Sequence, residues 1–167
     1  MKIKKSLIFL ALVLILIFTG FDQWTKWAVS NTLPLGYKLT IIPHFFNLTY
    51  VQNYGAGFSI MEGYGVFFFS IITIVALIVL AYYFFKSDDM KIQICLSFVF
   101  SGALGNWIDR LCFGYVRDFF SFRIFGQPFP VFNIADICIT VGFFCIILII
   151  LIEDWKAKQE WNKNHGL

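Results

Sequence analysis

Residues 66–85, VFFFSIITIVALIVLAYYFF, run for 20 positions without a charged side chain. A helix needs roughly 20 residues to cross a hydrocarbon core about 30 Å thick. The run is too long for a strand and too uniformly apolar for a helix with one wet face. Three more apolar stretches, at about 6–27, 92–108 and 132–152, fit the same length once interfacial residues are included. Composition agrees. Hydrophobic types make up 59% of the 167 residues and charged types 14%, against about 25% charged in an ordinary globular domain. Mean hydropathy is +0.78. The expected fold is an all-α polytopic membrane protein with four transmembrane helices, one integral membrane domain over residues 1–167.

The start, MKIKKSLIFLALVLILIFTGFD, has a basic segment followed by an apolar stretch at 7–18, which also describes a secretory signal peptide. No small-x-small cleavage site follows, so the stretch is read as a retained span. Placing both termini and the 86–91 turn on one side puts eight basic residues there. Five lie on the other side: Lys26, Lys38, Arg110, Arg117 and Arg123. The richer side is expected to be cytoplasmic. The net charge of +3 is too small and dispersed for a nucleic-acid partner. Cys95, Cys112, Cys138 and Cys145 form no Cys-x-x-Cys pair, and only two histidines are present. A metal site or disulfide framework is unsupported, and these cysteines read as small apolar residues.

With this orientation Asp22, Asp109, Asp118 and Asp136, four of the seven aspartates, fall at the outer face. Asp22 and Lys26 have the i,i+4 spacing of a helical ion pair. Two outer segments join the spans, at 29–65 and 113–131. In the first, YKLTIIPHFFNLTYVQN is rich in aromatic and β-branched residues and reads as short strands at the membrane surface. Gly55 and Gly57 follow in a turn-like NYGAGFS. The second mixes aromatics with a few charges, as suits a headgroup region.

A carboxylate in hydrocarbon is costly and has either a structural partner or a task. Asp136 stands near the outer end of the fourth span and Asp118 in the preceding segment. If the segment folds back, the two carboxyls share one proton, as in aspartic proteases. The spacing leaves plainer readings open. Asp136 can pair with Arg110 or Arg117, or cap a helix, and Asp118 can face water beside Arg117. Asn133 lies three residues before Asp136, placing it on the same helix face or at the N-cap with Asp136 at N3. Asn106 and Asp109 repeat that spacing, and Asn53 precedes the glycine turn. These amides suit substrate backbone or local carbonyls. Gly102 and Gly105 suit close helix approach.

FDQWTKW at 21–27, VQNYGAGFS at 51–59, SGALGNWIDR at 101–110, VRDFFSF at 116–122 and FNIADICITVG at 132–142 occur in this order on a chain of four spans. In these motifs and their spacing the chain resembles the lipoprotein signal peptidase (type II signal peptidase) family of bacteria. It departs from the common pattern at Gly57, where many relatives carry alanine, and at Ser101, where a third glycine is common.

The resemblance implies an intramembrane aspartic endopeptidase. It would remove the signal peptide from diacylglyceryl-modified prolipoproteins, cleaving before the lipidated cysteine. By motif position Asp118 and Asp136 are the implied catalytic pair. Asn53, Asn106, Arg110 and Asn133 are implied to bind substrate or support the dyad. Asp22, Lys26, Gly55, Gly105 and Asp109 are implied to be structural or positioning residues. The family has a small extracytoplasmic β-cradle and an outer loop, and the strand-like segment after Tyr37 and the 113–131 segment fit those parts. No cofactor and no metal is expected. The implied partners are lipidated prolipoprotein signal peptides and membrane phospholipid, with no nucleic acid and no obligate protein partner. The implied location is the bacterial cytoplasmic (inner) membrane, with both termini cytoplasmic and the active site near the outer face. Two other classes remain: a small proton-coupled transporter and a non-enzymatic membrane scaffold. A transporter wants polar groups spread through the bundle's depth, whereas a scaffold uses the aspartates as anchors.

Overall fold

The structure, a computed structural model, describes residues 5–55 and 65–165. Gly57 lies outside them. Four helices and four strands follow in the order α1 (Lys5–Thr32), β1 (Lys38–Ile42), β2 (Phe46–Asn53), α2 (Gly65–Lys86), α3 (Met90–Phe113), β3 (Val116–Ile124), β4 (Gln127–Pro128) and α4 (Ile134–His165).

Among the described residues, α1, α2 and α4 are long and apolar enough to cross a membrane. Their large side chains point outward. Leu16, Phe67, Ile78 and Phe144 are all more than half exposed, the pattern expected where the surroundings are lipid. The remaining helix, α3, packs against each of the other three. Its polar residues Gln93, Ser97, Ser101, Asn106 and Asp109 are buried against those neighbours. A central helix can carry polar groups that a lipid-facing one cannot, which accounts for its weaker apolar character.

The helix ends are satisfied locally. Asp89 caps α3 by accepting from the Lys91 N–H at 2.7 Å. From the first turn of α3, Gln93 Nε2 donates to the Phe84 and Ser87 carbonyls at the end of α2, each at 2.9 Å. Gly114 ends α3 in the left-handed region at φ 82°, its N–H bonded to the Arg110 carbonyl. The helices run beyond the expected spans, most of all α4. No Gly or Pro follows residue 152 until Gly166, and Lys158 pairs with Asp154 across one turn at 2.7 Å.

The chain is not all-α. The strands form one antiparallel sheet in the order β1-β2-β3-β4. Strands were expected in the first outer segment, but 113–131, matched to an outer loop, supplies β3 and β4 of the same sheet. Val51 opposes Asp118 and Asn53 opposes Val116. Register therefore fixes Asp118 and Asn53 at the sheet end nearest the helices.

Glycines let α3 and α4 touch at the backbone. A Cβ on Gly102 would overlap the Ala135 carbonyl oxygen, and one on Gly142 would meet the Cys95 carbonyl at 2.8 Å. Small residues that admit close approach are a main source of helix association in lipid. Gly102→Ala is expected to lower the thermal midpoint in detergent by an amount equivalent to about 1–3 kcal/mol of overpacking. Gly20→Ala, where a Cβ would meet nothing within 4 Å, is expected to leave the midpoint unchanged or raise it.

Candidate active site

The site is built on ion pairs buried where α1, α3 and β3 meet. Asp22 and Lys26, one turn apart on α1, pair at 2.8 Å with their side chains 1% and 0% exposed. Lys26 Nζ also donates to Asn106 Oδ1 at 2.9 Å and lies 3.7 Å from Asp109 Oδ2. Asp109 binds Arg117 three times: through its backbone N–H at 2.9 Å, Nε at 3.1 Å and Nη2 at 2.8 Å. Arg117 also stacks over Phe113, 4.4 Å from the ring centroid. Two carboxylates and two cations thus balance, the condition for burying charge without a large uncompensated cost.

Gln23 completes this layer. Its Nε2 donates to Asp109 Oδ1 and to the Gly105 carbonyl, both at 3.0 Å. Its Oε1 accepts from Arg117 Nη2 at 3.1 Å. Sequence reasoning passed over Gln23 and offered Arg117 as a partner of Asp136 or a neighbour of Asp118, not as the partner of Asp109. The available signal was the position of Gln23 inside FDQWTKW, directly after Asp22. Gly105 is explained by the same contact zone, because a Cβ there would press on the Asp22 carboxylate at 2.5 Å.

The ion-pair layer reaches two further carboxyls through amides. Lysine has only donors, so Asn106 must turn its carbonyl oxygen to Lys26. Its Nδ2 then donates to Asp136 Oδ1 at 2.8 Å. Asn133 Nδ2 donates to the same Asn106 oxygen at 3.1 Å and to Asp118 Oδ1 at 2.6 Å. Asn53 Nδ2 reaches Asp118 Oδ2 at 2.9 Å, while its Oδ1 accepts from the Gly55 N–H at 3.0 Å. The amides of Asn53 and Asn133, considered for substrate backbone, are turned towards Asp118.

Asn133 is also the N-cap of α4. Its Oδ1 accepts from the Asp136 N–H at 3.0 Å, and Asp136 Oδ2 accepts from the Asn133 N–H at 3.1 Å. This reciprocal capping box places Asp136 at N3. Asp22 Oδ1 takes the next free donor, the Ala135 N–H, at 2.9 Å. The capping and shared-site readings of Asp136 are therefore compatible. The ion-pair reading is not supported: Arg117 is held by Asp109, and Arg110 donates to the Gly55 carbonyl at 3.1 Å and lies over Phe69.

Asp118 and Asp136 line one cavity of about 260 Å³ with Asn53, Asn106, Arg110 and Thr140. Asp118 is 2% exposed, which excludes the reading of a residue facing water beside Arg117. Burial first, and then the nearby charge of Asp136, push its carboxyl up to about 7, against the pull of the Asn53 and Asn133 hydrogen bonds and of Lys26. The cavity thus brings two carboxyls together, one of them able to hold its proton close to neutral pH.

A polytopic membrane protein with two carboxyls lining one cavity, one on β3 and one at the first turn of α4, is the class that fold and site define. The chain belongs to the signal peptidase II family, whose model, Signal peptidase (SPase) II, matches residues 13–152. Relatives include the lipoprotein signal peptidases of Staphylococcus aureus strains JH9 and Newman, each 42% identical over 159 residues, covering 94% of this chain and 96% of theirs. Among solved structures, a bacterial membrane enzyme determined by the in meso method at 2.3 Å aligns with a TM-score of 0.81 at 41% identity, over 86% of this chain and 88% of that one. A second, at 1.9 Å, aligns with a TM-score of 0.76 at 42% identity, over 84% and 92%.

Lys26→Met is expected to destabilise the protein by about 3–5 kcal/mol, because it strands buried carboxylates. The double variant with Asp22→Asn is expected to lose less than the sum of the single losses. Thermal midpoints of the four proteins in one detergent measure this coupling.

Proposed function

We propose that this chain removes the signal peptide from diacylglyceryl-modified prolipoproteins, cleaving before the lipidated cysteine by acid–base chemistry at Asp118 and Asp136. Membership of the signal peptidase II family supports the protease activity and the precursor class. The observation that carries the residue assignment is the pair of bonds made by Asn133, from its side-chain Nδ2 to Asp118 and from its backbone N–H to Asp136. It ties a carboxyl on β3 to one at the first turn of α4, with both facing one cavity.

In this reading Asp136 takes a proton from a water in the cavity, and the water oxygen adds to the scissile carbonyl carbon. Asp118, carrying the shared proton, gives it to the carbonyl oxygen. The gem-diol intermediate collapses as the C–N bond breaks: the proton held by Asp136 passes to the departing nitrogen, and one hydroxyl proton of the diol returns to Asp118. Carboxyl and amine products result, and the chain's own side chains with water supply every proton. Asn53, Asn106 and Asn133 hold the two carboxyls in place, and Arg110 edges the cavity where the substrate backbone would pass. Asp22, Lys26, Asp109, Gly55 and Gly105 act at one remove, through packing and the ion-pair layer.

We assign four crossings to one integral domain, α3 included, since its polar face is covered by the other helices. Both termini then lie in the cytoplasm, and the sheet and cavity lie at the outer face, in agreement with the distribution of basic residues. The substrate enters from surrounding phospholipid, and the reaction calls on no nucleic acid or further protein chain. A transporter reading fits less well. The polar side chains deeper in α3 are hydroxyls and an amide, such as Ser97 bonded to the Gln93 carbonyl, and none of these is ionisable.

Asp118→Asn and Asp136→Asn are each expected to reduce cleavage of a lipidated precursor by at least about 10³-fold, with the folded protein retained. Full activity in either variant would overturn the assignment. The pH profile is expected to turn down on its alkaline side near pH 7. Below that value Asp118 keeps the proton it donates, and above it the proton is lost. Initial rates of precursor cleavage from pH 5 to 9 measure the turn.

A further inference from the structure

Among the described residues, two that are not glycine adopt positive φ: His44 at 61° and Phe125 at 51°. Both sit at hairpin tips. Phe125 and Gly126 form a two-residue loop, with Ile124 opposite Gln127 and Gly126 at φ 77°. Two positive φ values in such a loop are the requirement of a type I′ turn, for which Asn-Gly is strongly preferred. This chain places phenylalanine there, and its side chain is fully exposed. An aromatic ring kept in open space on an unfavourable backbone points to a task for the ring.

The two tips are neighbours. Phe46 opposes Phe122 in the β2–β3 register, and the Arg123 N–H donates to the Phe45 carbonyl at 2.8 Å. Both turns therefore project from the same end of the sheet, the end away from the dyad. Phe125 lies seven positions beyond Asp118, about 23 Å along an extended strand. Around the tips Ile41, Ile42, Phe45 and Ile124 are each more than 40% exposed. Arg123 is exposed among them.

We propose that these tips are a lipid anchor: Phe125, with its apolar neighbours, enters the leaflet at the sheet's end of the helix bundle, and Arg123 meets the lipid phosphates. Continuity identifies the occupant. Trp24 and Trp27 on α1 and then Leu35 and Tyr37 are all more than half exposed. They lead from the lipid-facing helix to the sheet as an aromatic belt at a membrane boundary does. A cation beside exposed aromatics matches the phosphate layer in charge. The anchor holds the sheet, and with it Asp118, at a set depth. This inference stands apart from the proteolytic assignment, and its depth readout needs no activity.

The test uses the full chain in vesicles of phosphatidylethanolamine and phosphatidylglycerol. A spin label is placed at position 125, with Cys95, Cys112, Cys138 and Cys145 replaced by alanine. The label is expected to be accessible to oxygen and shielded from a water-soluble nickel chelate, unlike a label at Lys163. Nickel access equal to that at Lys163 would overturn the proposal. So would shielding that disappears when the protein is diluted into excess lipid, which would assign the surface to a second copy. Phe125→Asn suits the backbone and is expected to keep or raise the thermal midpoint and to keep cleavage in detergent. In vesicles it is expected to slow cleavage several-fold, with Phe125→Trp retaining the wild-type rate. Equal slowing in detergent and vesicles, or none in vesicles, would overturn it.

Discussion

The ammonium group of Lys26 is the interaction on which the other parts of the site depend. It is fully buried, paired to Asp22 and bonded to Asn106. Because it can only donate, it fixes which way the Asn106 amide points. That in turn sends an N–H to Asp136 and leaves an acceptor for Asn133. A neutral side chain of the same length would fill the space without ordering the amides. The pair also connects three elements: Asp22 bonds the first turn of α4 and Lys26 reaches α3, and both residues belong to α1. Burying these ions is justified by the geometry they impose, since buried ion pairs are weak evidence of net stability.

Asn133 links local folding to the site. The same side chain starts α4, through the capping box with Asp136, and holds Asp118 of β3. Helix initiation and assembly of the carboxyl pair are therefore one event. A chain that frays at the α4 N-terminus loses its cap and its contact to the strand together. This coupling explains why asparagine suits the position: its oxygen caps while its nitrogen donates to two partners, a combination serine or aspartate cannot supply.

Much of this was legible in the chain. The apolar runs announced the helices, and the i,i+4 spacing of Asp22 and Lys26 gave their ion pair. The Asn133–Asp136 spacing offered a shared helix face or a cap, and the cap is what forms. The strand character of 113–131 was missed because Arg117 and Asp118 interrupt its apolar pattern. They are buried by partners on distant elements, Asp109, Asn53 and Asn133, and no local rule anticipates such tertiary partners. Gln23 was missed for the same reason, since three of its four hydrogen-bond contacts lie more than 80 positions away. Helix ends were underestimated where polar residues continue a helix past the lipid, as in the last part of α4.

The hydrogen-bond count around the two carboxyls bears on how they act. Each of the four oxygens accepts one bond: Asp118 from Asn133 and Asn53, Asp136 from Asn106 and from the Asn133 backbone. A carboxyl oxygen has two acceptor sites, so each retains a position for a proton or a water facing the cavity. Under the proposed assignment a substrate would meet groups already oriented, and no internal bond would have to break before water is activated. Preorganised polar groups of this kind lower the reorganisation a reaction requires. The donors come from α3, β2 and the α4 cap, and the carboxyls from β3 and α4. The orientation of the two carboxyls thus survives only while sheet and helices keep their relative positions, which ties it to the packing of α3 on α4 at Gly102.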